Sequence, residues 1–146
     1  MWWDTIPLED MTTEQWESLC DGCGRCCLIK AWDGDEIKMY PVACKLLDCS
    51  SGKCKNYIDR QQIVPDCIKD TPDNIDMPGL LPQTCAYKRI QKGQGLLWWH
   101  HLVSGSKDTV REAGISVIDI VHGNEDRIPI SRFAEYMQKP ILDDVG

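Results

Sequence analysis

The sequence predicts an α+β fold: a small, irregular, metal-stabilised single domain spanning residues 1–146, with short helices and a small sheet. Three observations predict it. Four of the nine cysteines fall within the eight residues Cys20-Asp21-Gly22-Cys23-Gly24-Arg25-Cys26-Cys27. Short helical patterns at residues 13–19, 82–92 and 130–137 flank a turn-rich middle, and residues 115–121 form a β-branched run that is apolar on both faces. At 146 residues the chain is one domain by size, with a modest core that gains from an internal staple.

The cysteine stretch has the character of a metal site. Two-residue spacers in Cys20-x2-Cys23-x2-Cys26 let the backbone turn back and aim successive sulfurs at one centre. Gly22 and Gly24 lie in those spacers, and glycine accepts the positive φ that a tight wrap needs. Cys27 is the odd member. Adjacent side chains on a helical turn point roughly 100° apart, so one of Cys26 and Cys27 is expected to serve a second centre or the core.

Composition narrows the class. Lys and Arg number 16 against 23 Asp and Glu, a net charge of −7. Phosphate binding needs a basic face, so no nucleic-acid partner is expected. A hydrophobic fraction of 42%, with six Trp and one Phe, describes a folded protein. Residues 1–7 lack the basic and apolar regions of a secretory signal, and no apolar run is long enough to cross a bilayer. The expected location is the cytoplasm, where thiols stay reduced unless a metal takes them. An odd number of cysteines also suits metal binding better than a disulfide framework.

Taken in order, Thr12-Thr13-Glu14-Gln15 predicts a capping box, with Met11 and Trp16 placed for a hydrophobic staple. The helix over residues 13–19 should bury Trp16 and Leu19 and deliver Cys20 at its end. Asp33-Gly34-Asp35 marks a turn, and residues 36–40 alternate weakly like a strand that Pro41 ends. Asp33, Asp35 and Glu36 do not complete a calcium loop, so a solvated turn is expected there.

Residues 44–85 carry Cys44, Cys49, Cys54, Cys67 and Cys85 at irregular separations among turn formers such as Ser50-Ser51-Gly52, Pro65-Asp66 and Met77-Pro78-Gly79. This segment shows little periodic apolar pattern. Metal ligation would give it a core, although one or two of the five thiols could be plain packing.

Cys20-x2-Cys23-Gly24-x-Cys26-Cys27, Cys44 with Leu46, Cys54-x2-Tyr57-x2-Arg60, Pro65-Asp66-Cys67 and Cys85-Ala86-Tyr87 together resemble the CxxCxxCC cysteine-cluster family of zinc- or iron-chelating proteins. The likeness is closest to its YcgN-like and YkgJ-like bacterial branch, and it extends through Trp99 to Gly105 and Ala113-Gly114-Ile115-Ser116-Val117. The resemblance implies a chelating domain whose metal residues are Cys20, Cys23, Cys26, Cys27, Cys44, Cys54, Cys67 and Cys85. Cys49 falls outside the pattern. The resemblance supplies no reaction.

Further along, the helix over residues 82–92 has Pro82 in its first turn and Gly93 as its stop, with Lys88, Arg89 and Lys92 near its negative end. It should carry Cys85 inward. Gly93-Gln94-Gly95 is half of a dinucleotide fingerprint without the strand before it and carries no weight. In Trp98-Trp99-His100-His101, either histidine could replace a thiolate, and the Trp pair could flank a cluster or receive a protein partner. The plainer reading is a buried Trp pair with histidines hydrogen-bonded at the surface. Residues 115–121 predict the clearest strand of the chain, and Ile130, Phe133, Ala134 and Met137 an amphipathic closing helix ended by Pro140.

An all-thiolate set suits an iron–sulfur cluster or, alternatively, zinc. The C-x2-C-x2-C start is similar to the bacterial ferredoxin run, whereas zinc ribbons also pair cysteines. A likeness in cysteine cluster to flagellin lysine methylases favours iron–sulfur by analogy alone. Three functions compete: a structural or redox-sensing metal-binding module, a cluster-dependent enzyme of methyl transfer or redox chemistry, and a metal chaperone or carrier. No nucleophile–base pair or carboxylate dyad stands out by spacing, so catalytic residues stay unassigned.

Overall fold

The computed structural model describes residues 1–65, 67, 70–77 and 81–136. It is an α+β arrangement of short helices around a small mixed sheet. Strands β1 (Leu28–Asp33) and β2 (Glu36–Ala43) form an antiparallel hairpin closed by Gly34-Asp35, with Asp33 opposite Glu36. Gly34 takes the positive φ of 66° that this two-residue turn requires. A second hairpin joins β3 (Leu47–Asp48) to β4 (Lys53–Cys54). The short β5 (Gly123–Asn124) runs parallel along the other edge of β2, giving the order β1-β2-β5.

Strand β2 runs through Pro41 instead of ending there. Between the pairs Leu28↔Ala43 and Lys30↔Met39 the register shifts, so Ile29 alone faces Tyr40, Pro41 and Val42. A bulge asks for no ladder donor, and the missing N–H of proline is harmless in it. The Pro41 carbonyl still accepts the His122 N–H at 2.9 Å.

The helices are α1 (Trp2–Thr5), α2 (Thr13–Ser18), α3 (Arg60–Ile63), α4 (Ala86–Gln91), α5 (His101–Ser104), α6 (Thr109–Glu112) and α7 (Ile130–Tyr136). The capping box is present on α2: Thr12 Oγ1 accepts Gln15 N–H at 3.1 Å while Gln15 Oε1 accepts Thr12 N–H at 3.0 Å. Helix α4 begins later than the pattern suggests. Pro82 sits in the turn before it, and Cys85 is its N-cap residue. Met137 and Pro140, expected at the end of α7, lie outside the described residues.

Residues 115–121 are not a strand. Ser116 caps a 3₁₀ turn at Val117–Asp119 by accepting Ile118 N–H at 3.2 Å. The backbone groups that a ladder would use are taken by the cysteine stretch: Val117 N–H donates to Cys23 O at 2.9 Å, and Ile115 O accepts Arg25 Nε–H at 2.8 Å. Its apolar pattern came from packing, with Val117 fully buried, and the sheet position went to β5.

Among the described residues three small cores are found. Trp3, Leu8, Leu19, Ile75, Leu81, Ala86 and Tyr87 form the first, where Tyr87 stacks on Trp16 at 4.4 Å and donates its hydroxyl to Trp16 O at 2.8 Å. Leu28, Met39, Ala43, Leu47 and Val117 form the second; Cys23, Trp99 and Val110 the third. Leu19 enters the first core, Cys23 the third, and Cys27 packs against the second. The segment from Leu19 to Cys27 therefore threads the junction of all three.

Asn124 ties the middle of the chain to the sheet. Its buried Nδ2 donates to Cys44 O and Leu47 O, both at 2.8 Å, and Cys49 Sγ donates to its Oδ1 at 3.4 Å. Asn124→Ala removes three hydrogen bonds at once, two of them to backbone carbonyls, although Cys44 O keeps the Leu47 N–H at 2.9 Å. We expect it to destabilise the protein by about 2–4 kcal/mol, a fall of roughly 6–12 °C in thermal midpoint; a midpoint within 1–2 °C of wild type, about the size of a neutral surface change, would contradict this role.

Candidate metal centre

The stretch is shaped by its own short-range bonds. Helix α2 stops at fully buried Leu19, leaving Cys20 at the surface. Gly22 and Gly24 take φ of 74° and 78°, as the tight wrap demands. Between them Asp21 Oδ1 accepts Cys23 N–H at 2.9 Å, and Cys23 Sγ accepts Arg25 N–H at 3.5 Å. A 3₁₀ turn, Arg25–Cys27, then presents the adjacent pair. Cys27 packs on the second core while Cys26 is exposed, yet their thiols stay close enough to hydrogen-bond. Adjacent positions thus diverge less than helical geometry suggests.

The later cysteines come to this stretch from several elements. Cys44 N–H donates to Cys27 O at 2.7 Å, Cys54 lies on β4 opposite Leu47, and Cys85 caps α4 at the edge of the first core. Cys67 follows α3, where the positive charge of the Arg60 guanidinium favours its thiolate. Cys49 packs against the second core, where Asn124 accepts its S–H.

Electrostatics sort the thiols into two neighbourhoods. Although Cys20 and Cys26 are exposed as residues, surrounding protein crowds water away from their sulfurs; that desolvation, then Cys26 and Asp21, push the Cys20 thiol up to about 12. Burial, then Asp21 and Cys26, raise Cys23, and burial raises Cys85 with smaller pushes from Asp21 and Cys26. Cys26 is raised first by its hydrogen bond to Cys27 and then by burial. In the second neighbourhood burial raises Cys44, helped by Glu125, Cys67 and Cys54; burial also raises Cys67, which feels Cys26 and Cys54 against the opposing Arg60. Cys26 joins the two.

Among the described residues no three His, Cys, Asp or Glu donors stand close enough together to grip one ion. The chain gathers the thiols into adjoining neighbourhoods without closing either as a ligand shell. The donor set nevertheless suits a soft or borderline cation. The thiolates of Cys20, Cys23, Cys26, Cys44, Cys67 and Cys85 are disfavoured by burial or by neighbouring groups, and a cation among them reverses these effects. Soft sulfur donors select zinc or iron–sulfur centres over calcium or magnesium.

The histidines differ from expectation. Trp99 is buried but Trp98 is 62% exposed, and His100 is buried, not superficial. His100 Nε2 lies 2.8 Å from Leu19 O and its Nδ1 accepts Leu102 N–H at 3.1 Å. Both ring nitrogens are thus engaged with backbone, and His100 ties the end of α2 to the start of α5. His101 stacks on it at 4.4 Å, and burial holds its pKa down. Arg25, 5% exposed, was equally invisible in the sequence because its acceptor, Ile115 O, lies 90 residues away. A cavity of about 400 Å³ lies elsewhere, lined by Trp3, Glu9, Pro72 and Ile90 among others and by no cysteine. Among the described residues no helix is long and apolar enough to cross a membrane.

The fold and the gathered thiols define a small α+β protein built around a cysteine cluster. Residues 19–86 match the CxxCxxCC family model, described as a "Putative zinc- or iron-chelating domain". A UPF0260 protein of Nitrobacter hamburgensis is 46% identical over 137 residues, covering 92% of this chain and 80% of its own. Another, from Gluconacetobacter diazotrophicus, is 53% identical over 117 residues, 79% of this chain and 73% of its own. A third, from Mesorhizobium japonicum, is 46% identical over 145 residues, 97% and 95% of the two chains. The chain belongs to the UPF0260 family. No solved structure matches it.

Proposed function

We propose that residues 1–146 act as one metal-binding domain in the cytoplasm, holding a metal centre through Cys20, Cys23, Cys26, Cys27, Cys44, Cys54, Cys67 and Cys85. Its role is structural or redox-sensing. The observation that carries this reading is that thiols from distant parts of the chain come into mutual electrostatic reach around one eight-residue stretch. A centre at Cys20, Cys23, Cys26 and Cys85, beside one at Cys27, Cys44, Cys54 and Cys67, uses all eight residues of the family pattern. Four thiolates suit either tetrahedral zinc or an iron–sulfur cluster, and we favour the cluster slightly on the C-x2-C-x2-C start. Such a centre, when bound, would supply either a fixed cross-link or electron transfer. The chain's part is to hold the thiols at the meeting of three cores, and Arg60 would offset the thiolate charge at Cys67.

Protein purified without oxygen is expected to contain metal. Elemental and sulfide analysis with a visible spectrum distinguishes the forms: iron with acid-labile sulfide and visible absorbance means a cluster, and zinc in a colourless protein means a zinc site. Folded protein free of both metals would overturn the proposal.

A further inference from the structure

The register of the β1–β2 hairpin fixes which way each backbone group of β1 points. Asp33 and Glu36 flank the two-residue turn and form its hydrogen-bonded pair, so the ladder alternates from there. Ala31 bonds to Lys38, while Trp32 opposite Ile37 and Lys30 opposite Met39 turn their N–H and C=O away from β2. Among the described residues no further strand lies on that side, because β1 is the edge of the order β1-β2-β5. Nor do the backbone groups of Lys30 and Trp32 find any other partner among those residues. Two residues back along the same edge, Leu28 O is taken by Lys30 Nζ at 3.2 Å, and that ammonium also donates to Cys26 O at 2.7 Å. Trp32 is 70% exposed.

An edge with free donors and acceptors is a template for another strand, and the strand that fits this one is its own copy. Three antiparallel registers set these two outward residues against themselves or each other. Lys30 opposite Lys30 brings two cationic residues face to face, and Trp32 opposite Trp32 leaves each Lys30 backbone at the turn of the second copy. Lys30 opposite Trp32, with Trp32 opposite Lys30, uses every free group in four hydrogen bonds about a two-fold axis at Ala31. The axis falls on a close pair, about 4.5 Å between Cα atoms, where alanine is small enough to meet itself. The apolar stem of Lys30 then lies across the indole of the second copy. In the same register Leu28 comes opposite Gly34 of the second copy. The Lys30 ammonium held on Leu28 O therefore arrives beside the turn that carries the exposed Asp35 and Glu36, and the symmetry applies this charge match twice.

We propose that the open edge of β1 is a homodimer interface, in which two copies join antiparallel through Lys30-Ala31-Trp32 into one continuous sheet of order β5-β2-β1-β1-β2-β5. The interface uses no cysteine side chain, and its antiparallel sense puts the two cysteine stretches at opposite ends of the paired strands. With three residues a side it falls short of the roughly 1,200 Å² of stable complexes, so the copies exchange, with a dissociation constant between about 1 μM and 1 mM.

Sedimentation equilibrium of the intact, reduced protein purified without oxygen, from about 10 μM to about 1 mM, reads the mass, and amide hydrogen exchange by NMR near both limits reads the edge. We expect a monomer–dimer equilibrium in which the amides of Lys30 and Trp32 slow at high concentration, while that of Ala31, bonded to β2 in either state, does not change. This alternation separates strand pairing from adhesion through the exposed indole. Trp32→Lys, at an exposed position, sets a lysine opposite Lys30 of the second copy and should raise the dissociation constant at least about ten-fold. A wild-type monomer throughout the range, a dimer whose Lys30 and Trp32 amides exchange equally fast near both limits, or unchanged dimerisation of Trp32→Lys overturns the proposal. So does a monomer in which those two amides are already protected, since the edge is then covered by other means.

Discussion

Cys23→Ser and Cys26→Ser are expected to abolish metal retention, whereas Cys49→Ser is expected to leave metal per chain unchanged. The two motif thiols share the two-residue spacing with Cys20, and each lies within electrostatic reach of other family-pattern thiols. Replacing a thiolate by a hydroxyl removes one soft donor and opens the centre to water, which loosens the remaining ligands as well. Cys49 has other business. It packs against the second core and donates to Asn124 Oδ1 at 3.4 Å, a bond that a serine hydroxyl can also make. Metal per chain in matched anaerobic preparations decides the matter: full retention in either motif variant, or loss in Cys49→Ser, means the ligands are misassigned.

Gly24→Ala should be the most damaging single-methyl change in the motif. Gly24 sits at φ 78°, and a Cβ there would lie 2.6 Å from Val117 Cγ2 and 3.1 Å from Gly52 O. Val117 is fully buried in the second core and the Gly52 carbonyl is backbone, so neither neighbour can swing away. Left-handed strain contributes about 1–2 kcal/mol and overpacking about 1–3 kcal/mol. The sum is a large share of a total stability on the order of 5–15 kcal/mol. Gly22→Ala is the control: its φ is 74°, but nothing lies within 4 Å of its added methyl, so only the strain remains. Urea unfolding of both variants should show Gly24→Ala losing roughly twice as much as Gly22→Ala or more. Equal losses would mean that the contact with Val117 does not constrain the motif.

Much of the local structure was legible. The Thr12–Gln15 capping box, the positive φ at Gly22 and Gly24 and the Gly34-Asp35 turn all follow from residues within a few positions of one another. Periodicity misled where packing replaced pairing. Residues 115–121 are apolar because Val117 is a core residue, and a β-branched run buried in a 3₁₀ turn has the same composition as one buried in a strand. Pro41 misled for a related reason: the bulge that accommodates it belongs to the β1–β2 register, which composition does not encode.

By itself the sequence determined the donor chemistry. In the proposed centre, sulfur at Cys20, Cys23, Cys26, Cys27, Cys44, Cys54, Cys67 and Cys85 would select the class of metal, because softness is a property of the atom and not of its position. Only the tertiary structure decided which donors are neighbours. Cys85 lies within electrostatic reach of Cys26 because α4 packs in the first core, and Cys44 within reach of Cys54 and Cys67 around a loop that Asn124 holds from 77 and 80 residues away. His100 and Arg25 became structural ties only when their acceptors, Leu19 O and Ile115 O, were brought beside them. The open edge of β1 became visible the same way, since which backbone groups of a strand are paired depends on its register and on what folds against it and not on its neighbours in the chain.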